Sequence, residues 1–408
     1  MVIILENGFV LGRDENGELI ILDIFGLGDD IQNANVVLFG ESGSGKSFCL
    51  KHINTQLYAL GVKLIILDAE VEYKKLTKSL NGNWINTGGG KGGRINPLQI
   101  RELPKDDEME ESERGLGDYA LHFQFLRSFF KFYFPDLTDL QLAILERNIE
   151  EVYTKFNITE DTDISKLKNS DYPILSDLYD YIEEKEKTDE MNKVNLSIIK
   201  SLLYPISKGS QREVWSGYTT IRNDARSICL DISDLQNGDE KMKKAQYYNI
   251  LTWCWQELAR DRDERVALTL DEAHLLVDPN VPQALIFLRS AIKRARKYNG
   301  SILLSTQSLN DYLAPRIREY GQACIDNATN VILMGADAQN VKDIKSVYRL
   351  TDAEELVLTS KTRGKAVIRI GRQKYIAYIE APEDEIEFFE ETLEEKRQKQ
   401  LKKEGLNG

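Results

Sequence analysis

NANVVLFGESGSGKSFCLKHINTQLYALG, residues 33–61, holds three structural instructions in one segment. The apolar run VVLF at 36–39 reads as a buried strand. Gly40-x-x-x-x-Gly45-Lys46-Ser47 follows it, and the residues from Phe48 onward have the spacing of an amphipathic helix. Strand, glycine loop and helix in that order form a cradle for a nucleotide's phosphates. The glycines let successive backbone N–H groups turn inward, and the helix points its positive end at the same spot. Lys46 is then the cation for the β- and γ-phosphates, and the Ser47 hydroxyl the Mg²⁺ ligand. Glu41, Ser42, Gly43, Ser44 and Phe48 complete the expected ATP-binding segment. The competing reading is a glycine-rich turn that binds nothing. Gly43 and Ser44 weigh against it, being small where a phosphate must come close.

A second segment answers the first. VALTLDEAH, residues 266–274, ends an apolar run on Asp271 and Glu272. A carboxylate at that position holds Mg²⁺ through its water shell, which is the expected role of Asp271. Glu272 is the expected general base for the attacking water. An acidic pair after a strand is by itself just as much a helix N-terminus; paired with the glycine loop it points to ATP hydrolysis. ILLSTQS at 302–308 adds Thr306 and Gln307 at the end of another strand. Gln307 is the expected γ-phosphate sensor or water-orienting group, against the plainer reading of a polar strand end. His274 starts a helix alone and is assigned no role.

Around these segments the chain alternates short continuous apolar runs, LIILD at 64–68, ICLDI at 228–232 and VILM at 331–334, with helical patterns. Such runs belong to a mostly parallel sheet covered on both faces. A strand inserted between the phosphate-loop strand and the acidic strand is typical of RecA-like motors, and LIILD is a candidate for it. The first 25 residues read as three antiparallel strands joined at Glu6-Asn7-Gly8 and Glu15-Asn16-Gly17. AVIRI and YIAYI flank Gly371-Arg372-Gln373 as a hairpin.

Between about 100 and 225 the rhythm stops. The stretch opens on the acidic run DDEMEESE and continues in helical patterns such as TDLQLAILERNIEEVYTKF at 138–156, with Leu140, Ile144, Ile149, Val152 and Phe156 near one face. The expected fold class is therefore α/β: a RecA-like P-loop NTPase core with N-terminal antiparallel strands and an all-α insertion. The expected division is a discontinuous core at 1–100 and 225–382, an insertion at 101–224, and a charged, solvated C-terminal helix at 383–408.

QALIFLRSAIKRARKYNG, residues 283–300, puts Leu285, Leu288, Ile292 and Ala295 on one helical face and stops at Gly300. Arg289, Lys293, Arg294, Arg296 and Lys297 lie off that face. An arginine finger for a neighbouring subunit, a nucleic-acid or phosphate contact, and a solvated helix face all account for the cluster.

The bulk numbers exclude several classes. Of 408 residues 42% are hydrophobic and 29% charged, the balance of a folded globular chain. No apolar run approaches bilayer length, and the start lacks a signal-peptide core. A formal charge of -13 argues against nonspecific coating of nucleic acid. Cys49, Cys229, Cys254 and Cys324 are widely spaced, as reduced, buried thiols of a cytosolic protein would be.

Taken in order, NANVVLFGESGSGKSFCLK, KLIILDAEVEYKKL, RINPL, VALTLDEAH, RARKYNGSILLSTQSLNDYL and GKAVIRIGRQKYIAYI resemble the type IV secretion ATPases of the TraC/TraE/TrbE type. These are component four of the VirB apparatus, within the HerA/FtsK clade of P-loop motors. The DAEVEY, RINPL and RKYNG segments point to the secretion branch, although DAEVEY has alanine where proline is common. The resemblance implies Lys46 and Ser47 for phosphate and Mg²⁺, Asp271 and Glu272 as metal and catalytic carboxylates, and Gln307 as sensor. It makes Arg296 the candidate finger, with Arg363 and Arg372 behind it. It also implies a homo-oligomer, hexameric when assembled, with other type IV secretion components as partners at the cytoplasmic face of the inner membrane. DNA is admitted as a partner but not required. Family members carry a sizeable domain before this region, so the chain is expected to be a C-terminal ATPase portion. The rival expectations are a HerA/FtsK-like DNA translocase and an ATP-binding assembly scaffold.

Overall fold

The computed structural model describes residues 8–26, 28, 31–89, 92–101, 117–277 and 282–390. The first of the three expected N-terminal strands, the Glu6-Asn7 turn, the acidic run and the tail beyond 390 lie outside them. In chain order the elements are β1 (Phe9–Asp14), β2 (Leu19–Leu22), β3 (Val36–Phe39), α1 (Lys46–Ala59), β4 (Lys63–Asp68), α2 (Lys74–Ser79) and β5 (Asn83–Asn86). Helices follow: α3 (Asp118–Tyr133), α4 (Asp139–Lys155), α5 (Leu175–Thr188), α6 (Lys193–Ser207) and α7 (Arg212–Trp215). Alternation resumes with β6 (Ser227–Asp231), α8 (Glu240–Ala259), β7 (Val266–Leu270), α9 (Gln283–Arg294), β8 (Gly300–Thr306), α10 (Arg318–Asp326) and β9 (Asn330–Leu333). The last elements are α11 (Ala338–Tyr348), α12 (Asp352–Ser360), β10 (Lys365–Ile370), β11 (Gln373–Ile379) and α13 (Glu383–Phe389).

The strands form one 11-stranded sheet in the order β2-β1-β11-β10-β9-β3-β8-β7-β4-β6-β5. From β9 to β5 all neighbours run parallel, whereas β10, β11, β1 and β2 extend the sheet antiparallel. The continuous apolar runs have a direct cause. Val37, Phe39, Ile65 and Leu67 enter one buried cluster, and Val36, Leu38, Leu64 and Ile66 enter a second on the opposite face. With both faces covered, every position of such a strand must be apolar. Cys49, Leu50, Ile53 and Leu57 of α1, with Phe389 of α13, pack on the second face; the other face carries α3 to α9. All four cysteines are free and buried.

The strand between β3 and β7 is β8, not β4. LIILD lies on the far side of β7, so an inserted strand exists but a different segment supplies it. Periodicity describes a strand's faces and carries no information on its lateral neighbour, which explains the misassignment.

No strand occurs among the described residues between β5 and β6. On α4 the buried stripe is Leu142, Leu145, Ile149 and Val152 with Ile144, while Leu140 is 63% exposed in the first turn. Thr138 starts that helix as a capping box with Gln141. RINPL stitches these helices to the sheet, and DAEVEY shapes the exit from β4. In RINPL, Asn96 donates to the Pro173 carbonyl at 2.9 Å and Arg94 Nε to the Glu213 carbonyl at 2.9 Å. In DAEVEY, the Asp68 carboxylate accepts the N–H groups of Glu70, Glu72 and Tyr73 at 3.0–3.2 Å, turning the chain into α2.

The C-terminal helix departs from its expectation. Glu385 of α13 is buried against His52 Nδ1 at 2.5 Å and Gln56 Nε2 at 2.5 Å, and Phe389 meets Phe48 edge-on at 5.4 Å. One face of its described part docks on α1 through Glu385 and Phe389, while Glu383, Asp384, Glu387 and Phe388 stay exposed.

One buried contact fixes α1 to the acidic strand: the Thr269 hydroxyl donates to Asn54 Oδ1 at 2.9 Å, and Asn54 Nδ2 donates to the Leu50 carbonyl at 2.8 Å. Thr269→Val preserves volume but orphans the Asn54 acceptor. Urea unfolding should register a loss of about 1–3 kcal/mol; an unchanged midpoint would show that the contact does not tie the two elements.

Candidate functional site

In a parallel sheet the strand C-termini share one edge, and ligands gather there. The order β3-β8-β7 brings the ends of those three strands side by side. The glycine loop leaves β3, Gln307 leaves β8, and Asp271 and Glu272 leave β7. Phe39 stands opposite Thr306 and Leu270 opposite Leu304, so the exits are almost level.

Gly43 (φ 82°) and Gly45 (φ 105°) take left-handed backbone, which side chains resist. At Gly40 a Cβ would fall 2.6 Å from the Ser44 hydroxyl, itself donating to the Glu41 carbonyl at 2.7 Å. α1 starts at Lys46 with no side-chain cap and no acid in its first turn, which leaves its N–H groups and positive end facing the loop. The result is a cradle for an anion.

Lys46 is buried. Its Nζ donates to Glu272 Oε1 and lies 3.8 Å from Asp271 Oδ1. Gln307 Nε2 donates to the same Glu272 oxygen at 2.7 Å, and the Ser305 hydroxyl donates to Asp271 Oδ1 at 3.0 Å. Burial raises Asp271 to about 6, with Lys46 opposing and Glu272 reinforcing the rise. Burial would raise Glu272 as well, but His274, Lys46 and Gln307 outweigh it and hold the group at about 2. Glu272 sits at φ 53°, a left-handed conformation costly for a side-chain-bearing residue, and its Oε2 is buried without a hydrogen bond. His274 Nδ1 is 3.0 Å from that oxygen but misaligned for hydrogen bonding.

Lys46, Asp271, Glu272 and Gln307 line a cavity of about 240 Å³ together with Ser42, Ser47 and Phe48. Among the described residues no cluster of three acidic, histidine or cysteine side chains has metal-site geometry. One carboxylate and one hydroxyl fit Mg²⁺, which keeps waters and takes its remaining ligands from phosphate. A larger cavity, about 830 Å³, opens beside Arg101, Trp253 and Glu257; it lacks the loop and the carboxylate pair, so size does not mark the chemistry.

The sequence-chosen residues divide into groups. Lys46, Asp271, Glu272 and Gln307 meet in the cavity, with Ser47 on its wall. Glu41 also lines it, but its carboxylate is engaged by the Asp337 N–H at 2.6 Å and Lys361 Nζ at 2.8 Å, anchoring the loop to its neighbours. Arg296 is exposed on a short 3₁₀ turn, Ala295–Tyr298, before β8. The helix stop there is Asn299 at φ 49°, and Gly300 already belongs to β8. β8 runs seven residues to Thr306, about 20 Å, so Arg296 lies at the opposite sheet edge from its own glycine loop. Sequence reasoning passed over Lys51, Glu70, Glu72 and Glu390 in the cavity wall, and Arg363 entered only as a finger candidate. Charge on the first turns after the loop and after β4 was the available signal for the first three; for Glu390 and Arg363 there was none.

The TraG P-loop domain family matches residues 8–395. The solved structure of VirB4 of Thermoanaerobacter pseudethanolicus is 39% identical, covers 93% of this chain and 98% of its own, and superposes with a TM-score of 0.86. An uncharacterized protein of Bacillus anthracis is 21% identical over 94% of this chain and 65% of its own length. Protein TraC of Escherichia coli is 17% identical over 83% of this chain and 36% of its own. The chain thus spans less than two thirds of these two relatives. The plasmid coupling protein TrwB in complex with ADP and Mg²⁺, at 12% identity, 86% coverage of both chains and TM-score 0.54, shares the fold.

The buried cation and its two acids predict their own double-mutant cycle in ligand-free protein. Lys46→Met strands the acid pair and should cost about 3–5 kcal/mol. Adding Glu272→Gln should return most of that loss, because one stranded charge is gone. Additive losses in urea denaturation would mean that the groups are not coupled.

Proposed function

The chain belongs to the TraG P-loop domain family, alongside VirB4, and from that premise we propose that it is an Mg²⁺-dependent ATPase energising substrate transfer or pilus assembly in a bacterial type IV secretion or conjugation machine. The observation that carries the reading is the meeting of Lys46, Asp271, Glu272 and Gln307 beneath the glycine loop. The ADP and Mg²⁺ complex of TrwB supports the choice of ligand.

In the proposed reaction Lys46 swings from Glu272 to the β- and γ-phosphates, while the loop N–H groups hold the rest of the chain of phosphates. Ser47 and Asp271 hold Mg²⁺, which when bound neutralises the charge on the transferred phosphoryl oxygens. Loss of the Lys46 contact leaves Glu272 Oε1 with Gln307 alone and frees it to accept a proton from the attacking water. Gln307 orients that water or reports the γ-phosphate. Arg296, at the sheet edge opposite its own cavity, would reach the site of the next subunit in a homohexamer and stabilise the transition state there.

Residues 1–100 with 225–382 act as the motor core, and 101–224 as an all-α insertion. No helix of the described residues is long and apolar enough to cross a membrane. We place the protein at the cytoplasmic face of the inner membrane through other secretion components. DNA is not required for this reading; strong stimulation of hydrolysis by double-stranded DNA would shift it toward a translocase.

Two outcomes test the chemistry. Glu272→Gln should keep Mg-ATP binding in calorimetry while turnover falls by about 10² or more; wild-type turnover would remove Glu272 from the reaction. Arg296→Ala should also bind ATP and lose most hydrolysis, and mixing the two variants should restore part of it. Co-assembled mixtures that stay inactive would exclude a shared site.

A further inference from the structure

The cavity that is to receive a polyanion is itself rich in carboxylates. Asp271 and Glu272 stand at its floor, and Glu70, Glu72 and Glu390 line its walls. Three cations face them. Lys46 is engaged with Glu272 and Asp271. Lys51 is paired with Glu72 at 3.5 Å and lies over the Tyr73 ring. Arg363, exposed at the rim, has no ion-pair or hydrogen-bond partner among the described residues. An unpaired guanidinium beside so much negative charge has its full donor set available for an incoming anion.

Its backbone is not free to wander. Arg363 sits in the turn between α12 and β10, and the turn is fastened to the glycine loop of the same chain. The Gly364 N–H donates to the Ser44 carbonyl at 2.9 Å, and the Gly364 carbonyl accepts from the Ile379 N–H at 2.8 Å. Lys361 Nζ pairs with Glu41 Oε2 at 2.8 Å. Left-handed backbone at Lys361 (φ 49°) and Gly364 (φ 80°) brings the chain this close, and a Cβ on Gly45 would lie 3.3 Å from the Gly364 nitrogen. Arg363 is therefore presented at the mouth of its own chain's cavity, whereas Arg296 lies at the other edge of the sheet.

We propose that Arg363 grips the phosphate tail of the nucleotide bound by its own chain, a cis contact that frees it from any role as the finger of a neighbouring site. The inference rests on the nucleotide reading above. The planar fork meets two phosphate oxygens at once, and the clamped turn keeps the arginine near the loop before ligand arrives.

The test is calorimetric titration of the full chain with Mg-ATP and Mg-ADP, at protein concentrations where sedimentation shows a monomer. Arg363→Ala should weaken both ligands about ten-fold or more, with an unchanged thermal melt, and Arg363→Lys should recover part of the loss. Lys46→Ala serves as the parallel control. If it too leaves ATP binding intact, the nucleotide reading itself fails. If it abolishes binding while Arg363→Ala binds as wild type, the arginine inference alone is overturned. A deficit of Arg363→Ala that appears only in assembled protein, and is rescued by mixing with a Lys46→Ala subunit, assigns the arginine to the neighbour's site and overturns the cis contact.

Discussion

Two adjacent carboxylates are buried at the end of β7, and one lysine stands between them and an unfavourable charge. Asp271 is 3% exposed and Glu272 and Lys46 are each 6% exposed. A buried acid pair is tolerated only when neutralised and hydrogen-bonded, and here the neutralising group is borrowed from the ligand-binding loop. The environment splits the pair unequally: Glu272 takes the lysine, Gln307 and the strained left-handed backbone, while Asp271 keeps a pKa near 6 with Ser305 and the Glu272 N–H. The ligand-free arrangement thus occupies Glu272, the proposed base, with the same cation proposed for the phosphates. In the proposed reaction, moving one ammonium group would fill the phosphate site and release the carboxylate, coupling binding to catalytic competence without a large rearrangement.

The sheet order makes this coupling geometrically possible, and the order is the part that residue patterns do not disclose. The strands themselves were legible because a parallel strand buried on both faces reads as a short, mostly apolar run, as VVLF, VALTL and ILLST do. The loop and the carboxylates were legible because their chemistry is written in consecutive residues. Lateral placement has no such local signature, so LIILD was a reasonable but mistaken candidate for the inserted strand. β5, with its half-buried NWIN, escaped notice because neither alternation nor an apolar run marks it. Leu140 has the spacing of the buried stripe, yet spacing alone cannot show that the first helical turn overhangs solvent.

Groups delivered to the site by closure of the chain on itself were equally silent. Arg363 and Glu390 are more than 300 residues from the glycine loop, and α13 reads as a charged helix on composition alone. Its docking depends on single matched partners, Glu385 with His52 and Gln56, and Phe389 with Phe48, not on a repeating stripe. Phe48 shows the consequence: chosen as part of the ATP-binding segment, it lines the cavity and at the same time supports the terminal helix.

All strands from β9 to β5 point the same way, so the chain has one edge of C-termini, holding the cavity, and one edge of N-termini, holding Arg296. A parallel sheet is polar in this literal sense, and a group on one edge cannot serve a site on the other within the same subunit. If both groups belong to one reaction, the subunits must be arranged so that the N-terminal edge of one meets the C-terminal edge of the next. Such a contact is heterologous, and it closes into a ring when the rotation per subunit divides a full turn. The antiparallel extension through β10, β11, β1 and β2 does not disturb this polarity, because it joins beyond β9 on one flank and carries Arg363 back to the C-terminal edge. On the proposed roles, one flank would complete the site from within the chain and the far edge would serve a neighbour.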